Sequence, residues 1–285
     1  MSQPITPVFP APASAAPGRP QSAAAALVAA ALAAAVGAGA ALGTGPYLLL
    51  IGAVQAVLVA AWWTAVRPPG RTAAAVVAGG AAVVADLVVL RDGGGTLEPV
   101  VGVVAIAFVA TVVAQLARGV GRAGVTESFG STVLLAVCCS ALAGPLALHA
   151  RQGGPAIVGV CLAAAGAGLV AAHLADAVSP APELSPGTGR GGIGVAVGGA
   201  VGAVAGGLAA RGVTDAVSPV VAALLGGVIA LTAVLVGVGQ ACAAVGRERA
   251  GEHVPVSWAT VALGPAWGVV AAAVGAYVVG NVVLG

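Results

Sequence analysis

Val220–Val245, VVAALLGGVIALTAVLVGVGQACAAV, runs for 26 residues without a charge. Its hydrophilic interruptions are Thr232 and Gln240. An apolar run longer than about 18 residues can cross the hydrocarbon core of a bilayer as a helix. Its residues do not alternate apolar and polar as a membrane β-strand would. A helix is therefore expected, because lipid leaves every backbone polar group to be satisfied within the segment.

Eight further runs of this kind lie along the chain: Ala23–Leu42, Tyr47–Val66, Thr72–Leu90, Val100–Ala117, Thr132–Ala150, Ala156–Val178, Ile193–Ala210 and Val256–Leu284. The gaps hold the expected breakers, at Gly45–Pro46, Pro68–Pro69, Pro99, Pro155, Pro180 and Pro219. The fold class that follows is all-α, a polytopic transmembrane helix bundle of about nine spans. A Pro/Ala-rich stretch at 1–21 reads as a disordered cytoplasmic tail, and 22–285 as one transmembrane domain. Around the first run a cleaved signal peptide competes with a retained helix. The long preceding region carries only Arg19 and many spans follow, which favours retention. Gly144–Pro145 predicts a kink. Gly264–Pro265 makes the last run either one kinked helix or an interfacial piece followed by a span.

Charges act as punctuation between these runs. Eleven Arg and nine Asp or Glu make up 7% of 285 residues, against 60% hydrophobic residues and a mean hydropathy of +1.08. A soluble domain carries about a quarter charged residues. Arg67, Arg71, Arg118, Arg122, Arg190, Arg247 and Arg249 follow even-numbered spans, and Arg19 precedes the first. Arg91, Arg151 and Arg211 follow odd-numbered ones. The positive-inside rule then puts the N-terminus in the cytoplasm and the C-terminus outside. Lys is absent and Asn occurs once, a bias typical of a high-GC bacterial genome, so the expected location is the bacterial cytoplasmic membrane.

The partner this composition implies is the lipid bilayer, with a homo-oligomer or a membrane complex as a further expectation. A net charge of +2 with dispersed Arg gives no nucleic-acid footprint. Cys138, Cys139, Cys161 and Cys242 lie within apolar runs without metal-binding spacing and read as small hydrophobes. No cofactor or metal is implied. HExxH, GxSxG and Walker-type motifs are missing, which disfavours an enzyme.

Ionisable groups inside membrane helices are costly and each is a site candidate. Asp86 lies four residues before the end of the third run, about 6 Å deep, where it can reach interfacial water or couple to an ion. His173 and Asp176 are three apart and share a helix face, the arrangement of a proton-handling pair. Asp176 as a mere water-boundary marker is the competing reading. Gln55, Gln115 and Gln240 read as interhelical glue, each worth about 0.6 kcal/mol. Glu127 at a helix start is favoured by the dipole alone.

Two loops read Gly-x-Gly-Arg-x-Gly, at Gly119, Gly121, Arg122, Gly124 and at Gly187, Gly189, Arg190, Gly192. Such loops before helix N-termini can hold an anion, although flexible positive-inside loops explain them too. Gly194, Gly198, Gly202 and Gly206 form a glycine zipper, expected to be a packing seam. The Asp-Ala-Val-Ser-Pro repeat at Asp176–Pro180 and Asp215–Pro219 is read as a coincidence of composition.

The leading expectation is a small-solute or ion-coupled permease with a cytoplasm-facing polar site, Asp86 being the ion-coupling candidate. A membrane enzyme acting on a phosphorylated lipid is the second, resting on convergence of Arg118, Arg122, Glu127, His173, Asp176 and Arg190. A structural or assembly subunit is the third.

Overall fold

The computed structural model describes residues 19–119, 123–213, 217–252, 254 and 256–285. Most of the expected tail, together with Gly121, Arg122 and Asp215, lies outside them. The helices are α1 (Arg19–Gly37), α2 (Thr44–Ala65), α3 (Arg71–Arg91), α4 (Glu98–Ala117), α5 (Val125–Ala141), α6 (Ala143–His149), α7 (Gly154–Val178), α8 (Gly192–Val213), α9 (Pro219–Arg249) and α10 (Trp258–Leu284). α5 and α6 make one broken span, so among the described residues nine segments are long and apolar enough to cross a membrane.

Local chemistry sets the breaks and starts. Pro145 has no N–H for the carbonyl of Ala141, and the helix divides there. Pro265 sits inside α10, which nonetheless continues from Trp258 to Leu284, so the last run is one helix. Ser257 and Thr260 form a reciprocal capping box at its start. Ser218 caps α9, with Pro219 at the first helical position. α9 has 31 residues, about 46 Å of helix against a hydrocarbon core of about 30 Å. Its last turn carries Arg247 and Arg249.

α7 is the centre of the bundle and packs against α1, α6, α8, α9 and α10. α10 also touches α2, α5 and α6, joining them to the α7–α9 group. α3 and α5 carry α4 on the outside, where Val101, Ile106 and Val109 are exposed. Exposed apolar faces of this extent need lipid as their solvent.

The glycine stripe of α8 packs within the chain. A β-carbon on Gly198 would stand 2.9 Å from the carbonyl of Gly168 in α7, and one on Gly206 2.7 Å from that of Ala222 in α9. One on Gly202 would collide with Ala230. Three helix backbones approach closely because these positions have no side chain.

The two ends of the bundle are distinct. At one, Arg247 donates to the carbonyls of Ala65 and Val66, Arg249 to that of Pro186, and Ser128 to that of Pro69. At the other, the N–H of Leu97 donates to Tyr277, and Arg151 to Asn281. Arg67, Arg71, Arg118, Arg190, Arg247 and Arg249 belong to the first end, and Arg91, Arg151 and Arg211 to the second.

Candidate functional site

His173 and Asp176 come from the last two turns of α7 and are both buried. The chain between α7 and α8 turns back on itself through Leu184 N–H to the Arg190 carbonyl, 3.0 Å, and Gly192 N–H to the Pro182 carbonyl, 2.9 Å. That fold carries the Arg190 side chain inward, where it is 4% exposed. Arg190 Nε lies 3.2 Å from Asp176 Oδ2, and Nη1 lies 2.6 Å from His173 Nδ1. The same Nη1 lies 3.4 Å from Nε2, and since a guanidinium only donates, His173 meets it as an acceptor, a neutral imidazole.

Asp176 has a second task. Its Oδ1 accepts from Gly191 N–H at 3.0 Å, just before α8 begins. Partial positive charge at that helix N-terminus favours the carboxylate. The space beside it is the missing side chain of Gly194, where a β-carbon would run into the Asp176 carboxylate. The first glycine of the zipper thus makes room for an ion pair as well as for a helix.

Beside this group lies a cavity of about 180 Å³, walled by the start of α1, the end of α9 and the start of α10. His173, Arg190, Gly237, Gln240, Gly264 and Pro265 line it. Arg190 Nη2 is buried and has no acceptor among the described residues. Nε reaches Asp176 by distance, but its N–H is not directed at the carboxylate as a hydrogen bond. Pro265 leaves the carbonyl of Val261, another wall residue, without its usual helical donor. The wall therefore offers unused donors and acceptors within an apolar frame, the composition of a small-molecule site.

No family model matches the chain, and neither a curated protein nor a solved structure is significantly similar to it.

The other candidate residues do not join this group. Arg118 Nη1 donates to Gln115 Oε1 at 2.7 Å and Nη2 to the Ala123 carbonyl at 2.9 Å, tying the end of α4 to the start of α5. Gln115 in turn donates to Ser128 at 2.9 Å. Glu127 is exposed on the first turn of α5. These side chains belong to helices packed around α3, whereas His173, Asp176 and Arg190 belong to α7 and the start of α8. The expected six-residue cluster therefore divides, with Arg122 outside the described residues. Residues at one end of a bundle need not be neighbours around it.

Asp86 is also separate, and its side chain is buried within the protein, 4% exposed. Gln55 of α2 donates to Asp86 Oδ1 at 3.1 Å and to the carbonyl of Cys139 at 3.2 Å. These bonds join α2 to α3 and to α5 in the interior. Gln55 and Gln115 both bond between helices, the latter from α4 to α5. Gln240 lines the cavity without a bond to any described residue. Its place could not be read from sequence, because the cavity is assembled by α1, α9 and α10 together.

Proposed function

We propose that this chain is a permease for a small polar solute, which it binds in the cavity beside Arg190. The supporting observation is a buried guanidinium beside Asp176 and His173, with Nε and Nη2 lacking a hydrogen-bond acceptor among the described residues, on a residue that lines a cavity. An unpaired buried donor costs about 1–3 kcal/mol, more when charged, and a solute acceptor would recover that cost. α10 runs on as one helix through Pro265, whose missing N–H leaves the Val261 carbonyl at the cavity wall without its usual donor, and Gly264 of α10 faces Gly237 of α9 there.

The positive-inside rule puts the Arg-rich end, and with it the cavity, on the cytoplasmic side of a bacterial cytoplasmic membrane. Asp86, buried toward the opposite end with a neutral partner, is the carboxylate proposed for ion coupling. The phosphorylated-lipid enzyme reading has less support, because Arg118 and Glu127 stand apart from Arg190.

Purified protein in proteoliposomes, tested with a panel of labelled amino acids, organic acids and sugars, should accumulate at least one of them above empty liposomes. Uptake equal to empty liposomes across the panel would count against a permease.

A further inference from the structure

We propose that Arg190 Nη2 anchors an oxyanion, the carboxylate or phosphate group of a small solute, in the cavity between α1, α9 and α10. This rests on the permease reading and names the chemical class of its solute.

The three guanidinium nitrogens of Arg190 have three different surroundings. Nε faces Asp176 at 3.2 Å, Nη1 donates to His173 at 2.6 Å, and Nη2 has no acceptor among the described residues. A guanidinium carries donors only, so what completes it must be an acceptor. Charge-assisted bonds to carboxylate or phosphate are the strongest such contacts, and the planar fork matches both.

The charge on Arg190 is only partly answered by the protein. His173 accepts as a neutral imidazole, and Asp176 divides its carboxylate between Arg190 and the N–H of Gly191 at the start of α8. Gln240, in the same wall, adds a side-chain amide with no described partner. Of the other charged groups in the lining, Arg247 is held by the carbonyls of Ala65 and Val66, and Glu248 is the acidic one, on the last turn of α9.

Gly237 gives the space. A β-carbon there would lie 3.9 Å from Nη2 and 3.7 Å from the Gly264 carbonyl, both ordinary contacts. Gly237→Ala should therefore fold normally while placing a methyl group against Nη2.

The test is thermal unfolding of the detergent-purified full chain, titrated at constant ionic strength with phosphate, acetate and succinate. Acetamide and glycerol serve as neutral probes, and nanodiscs with or without phosphatidylglycerol supply the lipid phosphate. At least one oxyanion should raise Tm saturably, and Gly237→Ala should weaken its apparent affinity at least tenfold without lowering the ligand-free Tm. Equal responses to acetate and acetamide, or an unchanged oxyanion response in Gly237→Ala, would overturn the proposal. Stabilisation by phosphatidylglycerol alone would support the oxyanion chemistry and overturn the soluble-solute reading. Oxyanion binding without uptake of any panel solute would remove the permease reading and leave the site. Uptake of a neutral solute without oxyanion binding would do the reverse.

Discussion

Gly194 and Asp176 occupy one another's space: the carboxylate stands where a side chain on residue 194 would begin. Gly194→Ala should force Asp176 away from Gly191 and Arg190, at the overpacking cost of about 1–3 kcal/mol. Gly199, on the same helix, has only ordinary contacts with Leu231 at 3.7 Å or more. Thermal unfolding should show a lowered Tm for Gly194→Ala and none for Gly199→Ala. Equal behaviour of the two would mean that the ion pair does not depend on this glycine.

The zipper seam predicts a non-additive pair. Gly202→Ala alone should destabilise through collision with Ala230, and adding Ala230→Gly should restore part of the loss. Recovery should be incomplete, because the carbonyls of Ala164 and Gly226 also lie within 3.0 and 3.3 Å of the added carbon. Strict additivity of the two changes in Tm would contradict direct contact along the seam.

His173 is expected to matter as an acceptor. His173→Phe leaves Arg190 Nη1 unpaired in a buried place, a loss of about 1–3 kcal/mol or more. His173→Gln offers a carbonyl oxygen and should recover much of it. Identical Tm values for the Phe and Gln variants would show that the 2.6 Å contact contributes little.

Asp86 separates packing from charge. Asp86→Asn retains an oxygen for Gln55 and should fold as the parent does, while Asp86→Leu leaves the Gln55 amide with only the Cys139 carbonyl and one N–H without an acceptor, at a cost of about 1–3 kcal/mol. If Asp86 couples solute movement to an ion, Asp86→Asn should also lose gradient-driven uptake. Full uptake driven by the gradient in that variant would remove it from the mechanism.

Much of the architecture is legible in the chain because lipid imposes a simple rule. A span needs a long apolar run, and the nine such runs coincide with the nine membrane-length segments among the described residues. The break at Gly144–Pro145 follows equally from the missing proline N–H. Boundaries are less legible. α5 starts at Val125, seven residues before its apolar run at Thr132; the Ser131 and Thr132 hydroxyls bond back to the Ser128 carbonyl within the helix, and the Ser128 hydroxyl bonds to the Pro69 carbonyl.

The site is half legible. The three-residue spacing of His173 and Asp176 shows a shared face, but nothing local shows that Arg190 turns inward to meet them. That turn depends on backbone bonds between residues 182–184 and 190–192, and on a glycine at 194. The separation of Arg118 and Glu127 from Arg190 has a related cause. Loop sidedness follows from counting spans, whereas neighbourhood around the bundle depends on which helices pack together.

The most direct measurement is solute uptake by proteoliposomes of the parent protein against Gly237→Ala, with Tm recorded for both. The expected result is an equal Tm and at least a tenfold loss of uptake rate in the variant. Undiminished uptake with a methyl group against Arg190 Nη2 would contradict passage of the solute through this cavity.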